Sequence, residues 1–355
     1  MEDVSELLEK KRPMIDSVIE RYLPKKFDKK HLEWVFGKPS YSYNVEALQK
    51  SLSEPIWDFL DRGGKRWRPA LFLLMTEALG GDVDKIKDFL IITEFLHEGS
   101  IMVDDIEDNS DLRRGKPCTH KIYGVDIAIN AGNFMYFLPF ISLMENRGNF
   151  DRKTIKRAYD AVVEELIKIH AGQGMDIIWH KGLADADNVS ESDYLQMCAY
   201  KTSVLPRLAA RLAVIFSGGS ENTEEKLGRL GESIGLVFQI KDDILNIKPS
   251  KKWGKTLGDD ISEGKRTLIV IHALKKADQK DRKRLLQILK MHTKDQKLIS
   301  EAIKILVKYG SIEYAEKFGQ KILKEAWKNA DKVLKPSPEK KKLKAFIDFA
   351  MGREI

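Results

Sequence analysis

The residues best suited to chemistry lie in the segment IMVDDIEDNSDLRRG, which crowds carboxylates onto the end of an apolar stretch. If that stretch is helical, Asp104 and Asp108 lie one turn apart on the same face, with Asp105 beside them. Like charges at this spacing destabilise a helix, so the cluster becomes favourable only with a compensating cation. Mg²⁺ has suitable properties, because it takes oxygen ligands and usually bridges one or two carboxylates to substrate phosphates.

A second acidic pair ends another long apolar segment. The sequence QIKDDILN places Gln239, Asp242 and Asp243 on a separate predicted helix. Two such clusters facing each other across a helical bundle would hold several Mg²⁺ ions with a diphosphate between them, since bundle cores build sites of this kind from facing helices.

Basic residues suited to phosphate accompany both clusters. Guanidinium groups bind phosphate through paired hydrogen bonds, whereas lysines act as point charges. Each motif alone is weak evidence, because an isolated DDxxD is more often solvated surface and GGKRWRP is usually a loop. Their coincidence in one chain favours diphosphate binding. The residues are Lys65 and Arg68 in GGKRWRP, Arg113 and Arg114 after the first cluster, Lys201 and Thr202 in KTSVLPRL, and Lys255 and Lys265 in GKTLGDDISEGKRT.

The elements that position these residues are predicted to be helices. Apolar residues recur at helical spacing through most of the chain, and no series of alternating β-branched strands interrupts them. The sequence therefore predicts an all-α protein. Residues 1–40, which contain Pro13, Pro24 and Pro39, are expected to form a helical extension ahead of one main domain, residues 41–355.

Composition narrows the class of protein. The net charge of +7 suits an anionic partner, but the lysine-rich runs lack interleaved aromatic residues, which argues against nucleic-acid binding. Two distant cysteines, Cys118 and Cys198, favour a reducing cytoplasm. The apolar run FMYFLPFISLM is about half of a ~20-residue span and contains Pro139, and the N-terminal residues lack a signal-peptide core. We therefore expect a cytoplasmic protein without a transmembrane segment.

Taken together, GGKRWRP, DDIEDNSDLRRG, GQGMD, KTS, FQIKDD and GKTLGDDISEGKRT resemble the motifs of the trans-isoprenyl diphosphate synthases, from about Tyr43 to the early 270s. The segments DDIEDNSDLRRGKPCTHKIYG, NFMYF and HAGQGMDIIW are most similar to those of the geranylgeranyl diphosphate synthases. The resemblance implies the isoprenoid synthase fold, an antiparallel helical bundle around a central active-site cavity, formed here by residues 41–355. It also implies a homodimer.

The resemblance implies a Mg²⁺-dependent prenyltransferase. In that family, diphosphate leaves an allylic substrate (dimethylallyl, geranyl or farnesyl diphosphate) and the double bond of isopentenyl diphosphate attacks the resulting cation. Loss of a proton then gives a chain longer by five carbons. Such chemistry depends on stabilising the leaving diphosphate, which agrees with the lack of an evident general base or covalent nucleophile. Transient membrane contact during product release is a further expectation.

Residue roles follow from the resemblance, position by position. Asp104 and Asp108 are implied to be Mg²⁺ ligands supported by Asp105, and Asp242, beside Asp243, is implied to be the ligand of the second cluster. The allylic diphosphate would be held by Arg113, Lys201, Lys255 and Lys265, and isopentenyl diphosphate by Lys65, Arg68, His97 and Arg114. Thr202 and Gln239 would direct oxygen dipoles towards the cation, and Gln173 and Asp176 would support the second cluster.

Product length should depend on where a bulky side chain stops the growing tail. Gly99 and Ser100, five and four positions before the first Asp, are small where farnesyl-producing relatives often have aromatic residues. Tyr136, Phe137 and His170 match a deeper floor in the geranylgeranyl synthases, although aromatic residues at helical spacing are usually ordinary core. We expect a C20 product, with C25 or longer, or farnesyl diphosphate, as alternatives.

The second acidic cluster differs in its last position from that of many relatives. Many relatives have DDxxD in the second cluster, where this chain has Asn246 in the last position, but the geranylgeranyl synthases often lack that carboxylate as well.

Other functions agree less well with these motifs. A class I terpene cyclase would need a different second metal motif and would not need the phosphate-binding segment GGKRWRP. A catalytically silent regulatory subunit should have lost acidic or basic positions, and a basic scaffold protein should carry its charge on an outer face.

Overall fold

The computed structural model describes residues 4–248 and 257–352, which are predominantly helical, as the periodicity predicts. The only β-strands in this part of the chain form a short antiparallel hairpin, Leu112–Arg113 (β1) with Lys116–Pro117 (β2). The α-helices are Val4–Tyr22 (α1), Lys29–Phe36 (α2), Val45–Leu48 (α3), Glu54–Leu60 (α4), Trp67–Ala78 (α5), Val83–Ile86 (α6), Leu90–Glu107 (α7), Thr119–Tyr123 (α8), Val125–Phe137 (α9), Phe140–Glu145 (α10), Arg152–His180 (α11), Glu191–Lys201 (α12), Val204–Phe216 (α13), Glu221–Ile247 (α14), Asp259–Ser262 (α15), Leu268–Lys276 (α16), Gln279–Lys290 (α17), Gln296–Lys308 (α18), Ser311–Ala330 (α19) and Pro338–Gly352 (α20).

The chain forms two compact units. The first contains the residues up to Tyr159 together with Ile215–Gly218, and the second contains Asp160–Val214 and the residues from Gly219 onward. In the first unit, the N-terminal helix α1 packs against α5 and α7. The predicted domain boundary at residue 40 stays a prediction. Helix α1 belongs to the same compact unit as the helices that follow it.

Close contact between two helices defines part of the first unit. A Cβ atom on Gly99 of α7 would lie 2.8 Å from the carbonyl oxygen of Gly132 on α9, and one on Gly132 would lie 2.8 Å from Cγ2 of Val103. These distances are shorter than side-chain packing allows. The two glycines therefore let α7, which carries the first acidic cluster, lie directly against α9.

Glycines play a corresponding part in the second unit. A Cβ on Gly231 of α14 would lie 2.3 Å from the carbonyl oxygen of Pro206, and one on Gly235 would lie 2.5 Å from Cα of Ser203. Gly231, Gly235, Gln239 and Asp243 recur every four residues and so share one face of α14. The contact that the glycines permit sets the end of α12 and the start of α13 beside the residues that the same face carries further on.

One segment of the described chain is long and apolar enough to cross a membrane by length and composition, namely Val125–Glu145, which α9 and α10 form. It is longer than the apolar run considered from the sequence. Of its most apolar window, 44% is buried inside the protein. A single segment of this kind is weak evidence for membrane insertion, because core helices have the same composition.

Candidate active site

The first acidic cluster lies where α7 ends, in the first unit. Asp108 is the residue that caps the helix, so the expected continuous helix through the cluster stops at Glu107. The Asp104 side chain is 23% exposed, whereas the Asp105 side chain is 1% exposed. The two neighbouring carboxylates therefore differ in environment, and Asp104 is the one that solvent reaches.

The hairpin that follows brings Arg113 back to this cluster. Nε and Nη2 of Arg113 donate to Oδ1 of Asp105 at 2.8 and 2.5 Å, and Nη2 lies 3.9 Å from Oδ2 of Asp104. Arg114 and Gly115 form the turn with positive φ angles of 52° and 76°, which suits a tight hairpin. The structure thus pairs Arg113 with the buried Asp105 and explains why that carboxylate tolerates burial.

The segment Gly63–Arg68, which runs from a loop into the first turn of α5, and His97 form a second basic region of the same unit. Lys65 is exposed and Arg68 is half-buried, with its guanidinium 4.4 Å from the ring centroid of Trp67. Burial, together with the charges of Arg68 and Arg114, holds the pKa of His97 well below its usual value. At neutral pH, His97 is therefore a neutral hydrogen-bonding group in an arginine-rich environment.

A chain of hydrogen bonds surrounds the second acidic cluster. Oγ1 of Thr202 donates to Oε1 of Gln239 at 2.7 Å, and Nε2 of Gln239 donates to Oδ1 of Asp243 at 2.8 Å. The hydroxyl of Tyr194 donates to Oδ2 of Asp243 at 2.6 Å. Burial and the charge of Asp260 raise the pKa of Asp243. Asp243 is 3% exposed and Asp242 is half-buried, so this cluster, like the first, has one accessible and one buried carboxylate.

Lys201 pairs with Asp176, a residue that was predicted to support the second acidic cluster. Nζ of Lys201 lies 2.6 Å from Oδ2 of Asp176. A Cβ on Gly172, one turn earlier on α11, would lie 2.3 Å from the backbone N of Lys201, so only glycine allows this approach. Gln173 is half-buried beside it. Asp176 therefore contacts the predicted phosphate-binding lysine; support of the second cluster stays a prediction.

Asn246 has a structural role in this part of the second unit. Its side chain is buried, and Oδ1 accepts a 3.2 Å hydrogen bond from the backbone N of Asp260. Nζ of Lys265 lies 2.5 Å from Glu263 and 3.8 Å from Asp260. Asp260 was not among the predicted site residues, although the motif GDDISEGK contains it. Lys255 lies outside the described residues.

The predicted chain-length residues have different environments. Ser100 is half-buried and its hydroxyl donates to the carbonyl oxygen of His97 at 2.7 Å. Burial, with the charges of Glu107 and Asp104, raises the pKa of the half-buried Tyr136. Phe137 is 69% exposed and His170 is also exposed. Within one chain, the fold thus encloses Gly99, which is buried against α9, and partly encloses Ser100 and Tyr136.

The residues present fit a hard divalent cation. In the described part of the chain, no group of three or more His, Cys, Asp and Glu side chains is arranged to hold a metal by itself. Accessible carboxylates such as Asp104 and Asp242 instead suit an ion that completes its octahedral shell with water and phosphate oxygens, which is how Mg²⁺ usually binds.

The chain is also similar to known proteins over most of its length. Residues 49–306 match the family described as polyprenyl synthetase. The chain is 37% identical over 293 residues to a short chain isoprenyl diphosphate synthase of Methanothermobacter thermautotrophicus, covering 82% of this chain and 87% of that protein. It is 37% identical over 294 residues to a geranylgeranyl pyrophosphate synthase of Dictyostelium discoideum, covering 81% and 92% respectively.

The fold is also found among solved structures. The structure of geranylgeranyl pyrophosphate synthetase from Pyrococcus horikoshii has a TM-score of 0.85 and 30% identity, covering 99% of this chain and 98% of that chain. That of Geoglobus acetivorans has a TM-score of 0.80 and 28% identity, covering 98% and 100%. The similarity extends over nearly the whole length of both molecules.

Proposed function

Because the chain belongs to the polyprenyl synthetase family and is a trans-prenyltransferase, we propose that it condenses isopentenyl diphosphate with an allylic diphosphate to make geranylgeranyl diphosphate. The observation that carries the proposal is common to both acidic clusters. In each, the first Asp of the pair is accessible and the second is buried and held by hydrogen bonds. Accessible carboxylates on rigid supports are what a metal–diphosphate site requires.

Mg²⁺ is the proposed cofactor, and Asp104, Asp108 and Asp242 are its proposed ligands. When bound, it neutralises the charge that develops on the departing diphosphate. Lys201, Lys265, Lys255 and Arg113 bind the allylic diphosphate electrostatically. Lys65, Arg68, Arg114 and the neutral His97 bind isopentenyl diphosphate, with His97 as a hydrogen-bonding group.

The chain's own polar groups also stabilise and direct the cation. Thr202 and Gln239 present oxygen atoms on a face fixed by the bond from Gln239 to Asp243. A preorganised dipole of this kind stabilises developing charge without reorganising during the reaction. No side chain is required as a nucleophile, and the leaving diphosphate accepts the final proton.

A C20 product is supported by the small side chain of Ser100, which leaves space beside the first cluster, and by the half-buried Tyr136 further along the packed pair α7–α9. Tyr136 is the proposed floor of the tunnel. Phe137 points into solvent in a single chain, so a role for it in chain length requires another surface to cover it.

A second copy of this chain is the proposed cover. The helices α9 and α10 expose Val125, Ile129, Phe137 and Met144, apolar side chains that an interface between two copies would cover. A homodimer buries these side chains. Size-exclusion chromatography with light scattering should give twice the chain mass, and Phe137→Glu should shift the species to the monomer. A monomer at all concentrations would refute the dimer. The two buried free cysteines support a cytoplasmic location.

The reaction is tested by incubating the purified full chain with labelled isopentenyl diphosphate, farnesyl diphosphate and Mg²⁺, then chromatographing the dephosphorylated products. A C20 alcohol that disappears with a chelator is expected. Longer products would retain the reaction class and refute the C20 assignment. No product with dimethylallyl, geranyl or farnesyl diphosphate would refute the enzyme and favour a silent subunit.

A further inference from the structure

A largely buried cluster of charged side chains lies in the first unit, and of its members only Arg114 was assigned a role from the sequence. We call it the Arg66 cluster; its members are Asp16 on α1, Arg66 before α5, Glu94 and Glu98 on α7, and Arg114 in the hairpin. The side chains of Arg66, Glu94 and Glu98 are 5%, 3% and 1% exposed. Charges buried to this extent are tolerated only when they are well paired.

Arg66 is the centre of the cluster. Its Nη1 lies 2.7 Å from Oε1 of Glu94 and 3.1 Å from Oε1 of Glu98, and its Nε donates to Oδ1 of Asp16 at 3.1 Å. The backbone of Arg66 has a φ of 48°, a conformation that residues other than glycine rarely adopt. These ion pairs therefore hold in place a loop conformation that the local sequence does not favour.

Glu98 extends the cluster to Arg114. Nη2 of Arg114 lies 2.9 Å from both carboxylate oxygens of Glu98, and Nη1 donates to the carbonyl oxygen of Gly63. The guanidinium also lies 5.0 Å from the ring centroid of Phe59. A guanidinium has five N–H donors, more than these contacts use, and the Arg114 side chain is 21% exposed. Arg114 is thus fixed in orientation while part of it remains accessible.

The backbone of the glycine loop lies directly on the cluster. A Cβ on Gly64 would lie 3.2 Å from Nη1 of Arg66, 3.5 Å from Oε1 of Glu98 and 3.6 Å from Nη1 of Arg114. A side chain at position 64 would therefore contact all three charged groups, and most closely the guanidinium of Arg66. The loop that carries Lys65 takes its position from these three side chains.

Every residue proposed to bind isopentenyl diphosphate adjoins this cluster. Lys65 and Arg68 flank Arg66 within two positions, His97 precedes Glu98, and Arg114 is bonded to Glu98. We propose that Glu98 and Arg66 are positioning residues for the isopentenyl diphosphate site, and that α1 contributes to that site through Asp16. The inference rests on the proposed function and adds a role for the N-terminal helix.

The test compares Glu98→Gln with Glu94→Gln in the full-length protein. Both substitutions replace a buried carboxyl group of α7 that contacts Arg66, but only Glu98 also contacts Arg114. Initial rates are measured with isopentenyl diphosphate varied at saturating farnesyl diphosphate, and the reverse. Glu98→Gln should raise the KM for isopentenyl diphosphate by about tenfold, as expected for misplacement of a binding group, and leave the KM for farnesyl diphosphate within about twofold. Glu94→Gln should have a smaller effect on the former.

Other outcomes overturn the inference. Equal effects of the two substitutions, or equal changes in both KM values, would leave the cluster only a structural role. If Glu98→Gln does not fold, Asp16→Asn replaces it, since Asp16 is 44% exposed; an unchanged KM for isopentenyl diphosphate would then overturn the inference. Product formation by the unmodified chain separates the two hypotheses. Its absence refutes the proposed function and this inference together, whereas normal turnover with unchanged KM values in the variants refutes this inference alone.

Discussion

The hydroxyl of Tyr194 on α12 donates a 2.6 Å hydrogen bond to Oδ2 of Asp243 on α14. Both residues are almost fully buried. The other carboxylate oxygen of Asp243 accepts from Gln239, whose amide oxygen accepts from Thr202. Asp243 therefore fixes the orientation of the Gln239 amide, and Tyr194 helps to fix Asp243. We therefore expect the second Asp of the DD pair to act on the proposed site through its neighbours.

Substitution of Tyr194 by Phe should lower kcat with little change in either KM, because it removes one of the two bonds that hold Asp243. The lost hydrogen bond to a buried carboxyl group should also cost roughly 1–3 kcal/mol of unfolding free energy. Steady-state kinetics and urea unfolding measure the two effects.

Tyr314→Phe is the matched control. The Tyr314 hydroxyl also donates to a carboxylate, Oε2 of Glu191, at 2.7 Å, but Glu191 is not part of the acidic clusters. The control should lose stability and keep its kcat. Equal losses of kcat in the two variants would show that Tyr194 has no specific part in the site.

The sequence predicted the helical class, the two acidic clusters and the basic motifs, because these depend on spacing along the chain. Contacts between distant segments were beyond it. The pairing of Arg113 with Asp105 depends on a hairpin whose strands have two residues each, which is too short to give an alternating pattern in the sequence. The contact of Lys201 with Asp176 depends on the approach that Gly172 permits.

The residues that sequence reasoning missed illustrate the same limit. Arg66 lies between Lys65 and Arg68 in a motif read as phosphate-binding, yet its side chain points into the protein and binds carboxylates 28 and 32 positions away. Tyr194 has no motif near it and is identified only by its partner. In both cases the burial of the side chain, which spacing alone does not give, determines the role.

Asp104→Asn and Asp242→Asn should each reduce kcat by orders of magnitude, since each removes a proposed metal ligand while preserving side-chain volume. Helicity by circular dichroism should not change, because both side chains are partly exposed. Glu107→Gln is the control; Glu107 is exposed at the end of the same helix and has no predicted ligand role. Near-normal turnover in both Asp variants would contradict the metal assignment.

Ser100 and Gly99 should respond differently to larger side chains. Ser100→Phe should shorten the product towards C15, because a half-buried position beside the first cluster can place an aromatic ring in the tunnel. Gly99→Ala should instead destabilise the protein, since even one methyl group would lie 2.8 Å from the Gly132 carbonyl oxygen on α9. The small residue at position 99 is thus explained by helix packing.

Product chromatography and thermal unfolding distinguish the two effects. Ser100→Phe should change the product and retain most of the stability. Gly99→Ala should lower Tm, by an overpacking cost of about 1–3 kcal/mol, and retain the C20 product. A C20 product from Ser100→Phe would remove Ser100 from the tunnel wall.

Stability should depend on pH through Glu94. Burial and the neighbouring charge of Glu98 raise the pKa of Glu94 to about 7, despite the opposing effect of Arg66. In the unfolded chain the pKa returns to its usual value of 4.5. Between these two values the folded state binds more protons than the unfolded state, so the contribution of Glu94 to stability decreases as pH rises through this interval.

Glu94→Gln should remove this dependence, because glutamine resembles the protonated carboxyl and does not ionise. Relative to the variant, the unmodified protein should therefore lose stability between pH 5 and pH 8, by up to roughly 3 kcal/mol for a shift of this size. Urea unfolding at the two pH values measures the difference. Glu20→Gln, at an exposed position of α1, controls for the loss of one negative charge and should show no such trend. A stability difference between the unmodified protein and Glu94→Gln that stays constant from pH 5 to pH 8 would mean that Glu94 titrates alike in the folded and unfolded chains, and that Arg66 and its partners compensate fully for its burial.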